Sequence, residues 1–354
     1  MSSSIPKLMH AVILTGHGGI DKLEYKNNID VPVPKEDEVL IRVKGAGVNN
    51  TDINTRIGWY SKSADNKSND GSWSGNPLDF PIIQGADICG NIVAVGSQVN
   101  QSRIGERVIV RTMQTVPENQ KNFSAWTVGS ECNGGFAQYA AIRSSEAFVI
   151  NSNWTDAEIA SIPCAYSTAE GLLHRSQVEK EKVFITGASG GVGSAAIQLA
   201  KLRNATVIAQ CSSEKKDEVK KIGADKIVFR DSDLIEELGK NSVDVVIDLV
   251  AGLNWKQLLD ILKPGGRYAT SGAIAGPIVE LDVRTLYLKD LTLYGCTHQP
   301  KEVFTNLIGY IERNEIRPLV AKTYPLQDIK KAQEDFLSKK YTGKLVLIPP
   351  NDNI

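Results

Sequence analysis

Short apolar runs alternate with amphipathic stretches through the second half of this chain. Val183-Phe184-Ile185 has the pattern of a buried strand, and Ser194 to Leu202 sets Ala195, Leu199 and Leu202 at helical spacing. Strand-like runs recur at 183–186, 206–210, 227–229, 244–249, 267–271 and 291–295, with helical stretches such as 215–223 and 255–262 between them. That alternation predicts an α/β architecture, a doubly wound parallel sheet with helices on both faces. The first part of the chain has another rhythm. Val39 to Val43, Gly90 to Val95 and Arg107 to Val110 are short apolar runs bounded by Gly, Pro, Asn and Asp, which predicts a β-rich domain.

A chain of 354 residues exceeds one ordinary core, so two domains are expected. The pattern puts a β-rich domain over residues 1–160 and the parallel sheet over 161–297. Six strands already complete that sheet. The tail, 298–354, with helical stretches near 301–314 and 328–339 and a closing strand at Lys344 to Ile348, is therefore assigned back to the first domain. Ser61 to Asp79 is almost wholly Ser, Asn, Asp, Gly and Lys, a composition that buries no core. It reads as a surface insertion or as a lid, since it follows directly on Trp59-Tyr60.

Glycines fall between the strand at 183 and the helix at 194, in Gly187-Ala188-Ser189-Gly190-Gly191-Val192-Gly193. Such a turn bends sharply and lets backbone N–H groups at a helix N-terminus approach a pyrophosphate, whose charge the helix dipole favours. Ala188 stands where the usual dinucleotide fingerprint has its first Gly. The strand before, the helix after and a second strand at Thr206 to Gln210 supply the context that the fingerprint needs. The competing reading is a tight strand–helix turn with no ligand.

Charge narrows the partners. With 40 basic and 41 acidic residues the net charge is −1, and the densest basic stretch, Lys215 to Lys221, is interleaved with Asp217 and Glu218. No footprint for nucleic acid or an anionic membrane results. The first residues lack an apolar leader core and no run of about 18 apolar residues occurs, so a cytoplasmic protein is expected. Five widely spaced cysteines suit reduced thiols better than disulfides.

Gly45-Ala46-Gly47-Val48-Asn49-Asn50-Thr51-Asp52, Gln84-Gly85-Ala86-Asp87-Ile88-Cys89-Gly90, Ile104-Gly105-Glu106-Arg107-Val108, Gly134-Gly135-Phe136-Ala137-Gln138-Tyr139, the glycine turn, Leu262-Lys263-Pro264-Gly265-Gly266-Arg267 and Gly343-Lys344-Leu345-Val346-Leu347 occur in this order. Together they resemble the medium-chain dehydrogenase/reductase superfamily, and within it the zinc-independent quinone oxidoreductase, or zeta-crystallin-like, branch. The resemblance implies a GroES-like catalytic domain beside a Rossmann domain. Zinc-containing members hold a catalytic metal on three protein ligands. At the matching positions this chain has Asn49, Ala86 and Cys164, and of the four cysteines of a structural zinc lobe only Cys132 is present. No zinc is therefore expected.

Without the metal the chemistry changes. Zinc lowers the pKa of bound water from about 15.7 to about 7, roughly 12 kcal/mol of stabilisation for a developing alkoxide, whereas one aimed hydrogen-bond donor supplies about 3–4 kcal/mol. Quinones and α,β-unsaturated carbonyl compounds, which delocalise incoming charge, are the expected acceptors. The resemblance implies that Asn49, Thr51, Asp52, Tyr60 and Tyr166 line the catalytic cleft. For Asn49 and Asp52 the alternative is backbone satisfaction at a strand end, and for Tyr60 and Tyr166 it is packing alone.

Cofactor contacts carried over from the family are Thr168 near the nicotinamide, Ala188, Ser189, Gly190, Gly191 and Val192 at the turn, and Ser212, Ser213 and Lys216 for a 2′-phosphate. Further contacts are Asp248, Val250, Ser271, Gly272, Ala273, Cys296, Thr297 and Lys344. No carboxylate follows the second strand until Glu214, so NADPH is expected in preference to NADH. A homodimer formed through the edge strand Leu291-Thr292-Leu293-Tyr294 is also implied.

Overall fold

The computed structural model of the protein describes residues 5–61, 71–118 and 125–351. Of the Ser61 to Asp79 segment, residues 62–70 lie outside the described residues. The chain divides into two compact units, residues 1–164, 320–340 and 344–354 in the first and 165–319 and 341–343 in the second.

The first unit opens with strands β1 (Leu8–Leu14), β2 (Leu23–Asp30) and β3 (Glu38–Gly47), followed by helix α1 (Asn50–Ile57). Next come β4 (Ile82–Ile83), β5 (Cys89–Val95), β6 (Arg107–Val110), β7 (Met113–Gln114), β8 (Trp126–Thr127), β9 (Tyr139–Arg143), β10 (Ala147–Val149) and helix α2 (Asp156–Ala160). Alternation along β3 buries Val39, Ile41 and Val43. This strand is central: β5 and β9 pair with it antiparallel, and so does the last strand of the chain.

The second unit runs through α3 (Pro163–Arg175), β11 (Lys182–Ile185), α4 (Gly191–Leu202), β12 (Thr206–Cys211), α5 (Lys216–Ile222), β13 (Lys226–Phe229) and α6 (Leu234–Leu238). It continues with β14 (Val243–Asp248), α7 (Trp255–Ile261), β15 (Leu262–Thr270), α8 (Val283–Leu288), β16 (Thr292–Gly295) and α9 (Lys301–Glu312). Its six strands are parallel in the order β13-β12-β11-β14-β15-β16, so the order reverses beside β11. Ligands of open α/β sheets bind at the carboxyl ends of the strands at such a switch point. Val183, Phe184 and Ile185 are fully buried, and Phe184 packs with Val246, Trp255 and Leu259 in the core of this unit. Each such side chain contributes about 1.5–3 kcal/mol on burial.

The chain closes with β17 (Val320–Pro325), α10 (Ile329–Leu337) and β18 (Lys344–Ile348) in the first unit, where β18 pairs with β3 and β17. The expected return of the tail begins later than residue 298. Residues 298–319, including α9 with its buried Val303, Phe304, Leu307 and Ile311, belong to the sheet-bearing unit. Among the described residues no helix is long and apolar enough to cross a membrane.

Candidate functional site

In the second unit the glycine turn is built as an anion cradle. Gly187 has φ +59°, a backbone region that favours glycine, and Ala188 donates its N–H to the Gln210 carbonyl of β12. Helix α4 starts at Gly191, three residues before the position that apolar spacing predicts, and its first internal bond runs from Ser194 N–H to Gly190 O at 2.8 Å. The N–H groups of Gly191, Val192 and Gly193 thus have no acceptor within the helix, and they sit at the positive end of its dipole. A Cβ on Gly190 would meet only the Gly187 carbonyl oxygen, at 3.4 Å, so the space above the turn is open. These features fit a pyrophosphate. The main-chain carbonyl of Ser189 accepts from Gly343, and Ser189 itself is half-buried.

Around this turn the expected cofactor residues separate into two groups. Val250, Gly272 and Ala273 are half-buried after β14 and β15, and Ser271 is exposed there. After β16, Cys296 is half-buried and Thr297 exposed, and at the end of β12 Ser212 is half-buried while Ser213 and Lys216 are exposed. Thr168, half-buried in α3, accepts from Gln299 at 3.5 Å. All of these remain open to a ligand. Ala188 and Asp248 do not: the Ala188 N–H is spent on the sheet, and the buried Asp248 carboxylate accepts from Thr186 Oγ1 (2.7 Å), Tyr268 OH (2.6 Å) and the Val250 and Ala251 N–H groups. Asp248 shapes the loop after β14.

Tyr166 also departs from expectation. It is 1 % exposed, its hydroxyl donates to Arg317 O at 3.1 Å and accepts from Gln198 Nε2 at 3.0 Å, and burial pushes its pKa up. It therefore ties α3 to α4 and to the chain at Arg317, with its one O–H donor already spent.

In the first unit the residues at the family's zinc-ligand positions come together around a lysine. The turn from β3 into α1 is a capping box: Asn49 N–H donates to Asp52 Oδ2 at 2.8 Å, and the Asn49 side chain meets the backbone at Asp52. Asn49 Nδ2 donates to Asp87 Oδ2 at 2.8 Å and to Gly47 O at 3.3 Å. Lys344, at the start of β18 and 3 % exposed, donates to Val48 O (3.0 Å), to Asp87 Oδ2 (3.1 Å) and to Asn49 Oδ1. The other Asp87 oxygen accepts the Cys164 N–H at 2.6 Å.

This cluster takes up three expected site residues. Lys344 is buried with its ammonium on Val48, Asp87 and Asn49, and the Asn49 and Asp52 side chains are committed to the hub and the cap. The donor set also fails a zinc test. A carboxamide and a methyl replace a thiolate and an imidazole, and an ammonium already sits among them, which repels a dication. Among the described residues no group of three or more His, Cys, Asp or Glu side chains is placed to hold a metal ion.

Burial, offset in part by the Asn49 N–H and reinforced by the Asp87 charge, pushes the Asp52 carboxyl from 3.8 up to about 7. Because the folded value lies above the ordinary one, this group favours folding at low pH, and its contribution declines as pH rises from about 4 to about 7. Asp52→Asn is therefore expected to be least stable relative to the parent near pH 4 and to gain on it by pH 8. Urea midpoints at the two pH values check this, and a stability gap that ignores pH would refute it.

Two expected catalytic residues remain available, Thr51 and Tyr60. Thr51 is 7 % exposed at the start of α1, and Tyr60 is half-buried beyond the helix end. Asn54 Nδ2 approaches the Tyr60 hydroxyl at 3.4 Å, and the Trp73 ring stands edge-on at 6.3 Å between centroids. Burial raises the Tyr60 pKa, so the phenol stays protonated at neutral pH. Trp73, from the described part of the polar segment, is a site neighbour that sequence reasoning missed. Its only signal was an aromatic residue in an otherwise polar run.

Comparison with known proteins identifies the family. The family model described as an alcohol dehydrogenase GroES-like domain matches residues 35–152, and the one described as a zinc-binding dehydrogenase matches residues 191–313. A quinone oxidoreductase from Sus scrofa is 30 % identical, over 97 % of this chain and 98 % of its own length. The chloroplastic NADPH-dependent alkenal/one oxidoreductase of Arabidopsis thaliana is 31 % identical, over 98 % of this chain and 81 % of its own. A crystal structure from Sinorhizobium meliloti 1021, provisionally called an alcohol dehydrogenase, is 44 % identical with a TM-score of 0.90 and covers 98 % of both chains.

Proposed function

The chain belongs to the medium-chain dehydrogenase/reductase superfamily, and from that membership we propose that it reduces quinones or α,β-unsaturated carbonyl compounds with NADPH and without zinc. The observation that carries this reading is the Lys344–Asp87–Asn49 hub, a buried ammonium where other members would place a metal. NADPH would supply the hydride. The N–H groups of Gly191, Val192 and Gly193 would receive the pyrophosphate, and Ser212, Ser213 and Lys216 would receive the 2′-phosphate. Tyr60 donates its hydroxyl to the acceptor oxygen, while Asn54 keeps that hydroxyl aimed. One phenol donor suffices only for an acceptor whose product anion is delocalised, which selects quinones and enones over simple ketones.

The quinone oxidoreductase and the alkenal/one oxidoreductase among the relatives support the same acceptor class. A cytoplasmic homodimer completes the proposal. Its contact would be the β16 edge with the exposed Ile278, Val283, Tyr287 and Leu288 beside it.

The test is nicotinamide oxidation against a panel of quinones, enones, simple aldehydes and enoyl thioesters, with NADPH and NADH, before and after a zinc chelator. Quinones or enones should be turned over, NADPH should be preferred, and the chelator should leave the rate unchanged. Tyr60→Phe should lower kcat about a hundredfold with nucleotide affinity kept. Chelator-sensitive alcohol oxidation, or an unchanged Tyr60→Phe rate, would overturn the reading.

A further inference from the structure

Trp73 reaches Tyr60 from an otherwise polar segment, and the chain on either side of it is anchored within the first unit. On the near side Gly71 is packed so closely that a Cβ there would meet His17 Cε1 at 2.7 Å and Gly58 Cα at 2.8 Å. His17 is itself fixed: its Nδ1 donates to Thr55 O at 2.8 Å, and its ring stands edge-on to Phe80 at 4.9 Å between centroids. Gly58 ends α1, directly ahead of Trp59 and Tyr60. Gly71 thus sets this part of the segment against the end of the helix.

On the far side the anchor is a carboxylate. Glu131 Oε1 accepts the Ser74 N–H at 2.9 Å and Glu131 Oε2 accepts the Thr127 N–H of β8 at 2.9 Å, so one side chain joins the segment to the loop 127–132. That loop is closed on itself, with Ser130 N–H on Thr127 O at 3.1 Å and Gly129 N–H on Cys132 O at 2.9 Å. Ser74 lies in a closed turn too: the buried Ser72 donates its hydroxyl to Asn76 O at 2.8 Å, and Gly75 N–H donates to Ser72 O at 3.2 Å. One anion clasps the two turns, and both of its bonds are charge-assisted.

We propose that Glu131 is a positioning residue of the acceptor site: by clasping Ser74 to Thr127 it holds the Trp73 ring beside Tyr60, as the wall against which larger acceptors pack. This rests on Tyr60 facing the acceptor, as proposed above. Anchors on both sides of Trp73 fix where the indole stands, and a wall set in place beforehand costs a ligand less to use. The ring centroids of Tyr60 and Trp73 are 6.3 Å apart, so an acceptor of fused rings held by the Tyr60 hydroxyl extends to the indole, whereas a small enone ends short of it. The clasp therefore selects by size.

Steady-state kinetics with a bulky and a small acceptor of the class turned over test this, on the parent, Glu131→Ala, Glu131→Gln, Trp73→Ala and each Glu131 variant combined with Trp73→Ala. Glu131→Ala should raise KM for the bulky acceptor about tenfold, the scale of one lost aromatic contact, while kcat, KM for the small acceptor and the NADPH dissociation constant each stay within about twofold. Glu131→Gln keeps one acceptor oxygen and should raise the same KM about threefold. On Trp73→Ala neither Glu131 change should add anything, because the clasp acts only through the indole. An unchanged KM in both Glu131 variants, a loss shared equally by the two acceptors, or losses that add on Trp73→Ala would overturn the inference. The proposed reaction would still stand if Tyr60→Phe lowered kcat. If Tyr60→Phe turns over as fast as the parent, both fall. Should Glu131→Ala fail to fold, Glu131→Gln decides by the same comparisons.

Discussion

Lys344→Met is expected to destabilise the β-rich unit by about 3–5 kcal/mol, the cost of removing one partner from a buried ion pair. Lys344 and Asp87 are 3 % and 0 % exposed, so the Asp87 carboxylate would keep the Asn49 and Cys164 N–H donors but lose its cation. Lys344→Met with Asp87→Asn removes the stranded charge and should recover most of the loss, because the penalty comes from an uncompensated ion and not from lost packing. The four proteins form a double-mutant cycle read by urea unfolding. Losses that simply add would show that the pair is not coupled.

The same variant should lose turnover well below its melting range. Lys344 joins the start of β18 to Val48 and Asn49 at the end of β3, where α1 begins, and through Asp87 to the Cys164 backbone. That helix carries Asn54, whose side chain reaches the Tyr60 hydroxyl. Loosening the hub misaims the phenol, and misplacement by about 1 Å is enough to cost a hundredfold in rate.

How much of this could be read beforehand depended on range in sequence. The glycine turn was legible because strand, turn and helix are consecutive, and the six-strand sheet followed from periodicity alone. The vacancies at the family's zinc positions were legible too, but not what fills them: Lys344 meets Asp87 across 257 residues, and no local pattern encodes that meeting. Tyr166 was ambiguous in principle, since a tyrosine in an apolar helix face looks the same whether its hydroxyl meets a substrate or Gln198. The amphipathic stretch 301–312 announced a helix without saying which unit its apolar face would cover. The apolar pattern put the fifth strand at 267–271, after Lys263-Pro264-Gly265-Gly266. That stretch lies within β15, whose pairing with β14 jumps from Leu262 to Arg267, so the extra residues bulge out of register.

Gly190→Ala and Gly193→Ala should separate the two jobs of the glycine turn. A Cβ on Gly193 would meet Gly187 O at 2.3 Å, Ala188 Cα at 2.6 Å and Gly187 C at 2.8 Å, all backbone atoms that cannot turn away. The turn would have to open, at about 1–3 kcal/mol for overpacking, and the three free N–H groups would lose their common aim. Gly193→Ala is thus expected both to melt earlier and to lose nucleotide binding. Gly190→Ala meets only one oxygen, at 3.4 Å, and its φ of −77° suits any residue, so its fold should be unharmed. Its methyl group instead stands in the open space above the turn, and nucleotide affinity should fall about a hundredfold at unchanged melting temperature. Calorimetric titration and thermal melts of the two variants decide the matter. If Gly190→Ala binds nucleotide as tightly as the parent, the pyrophosphate does not lie on this turn.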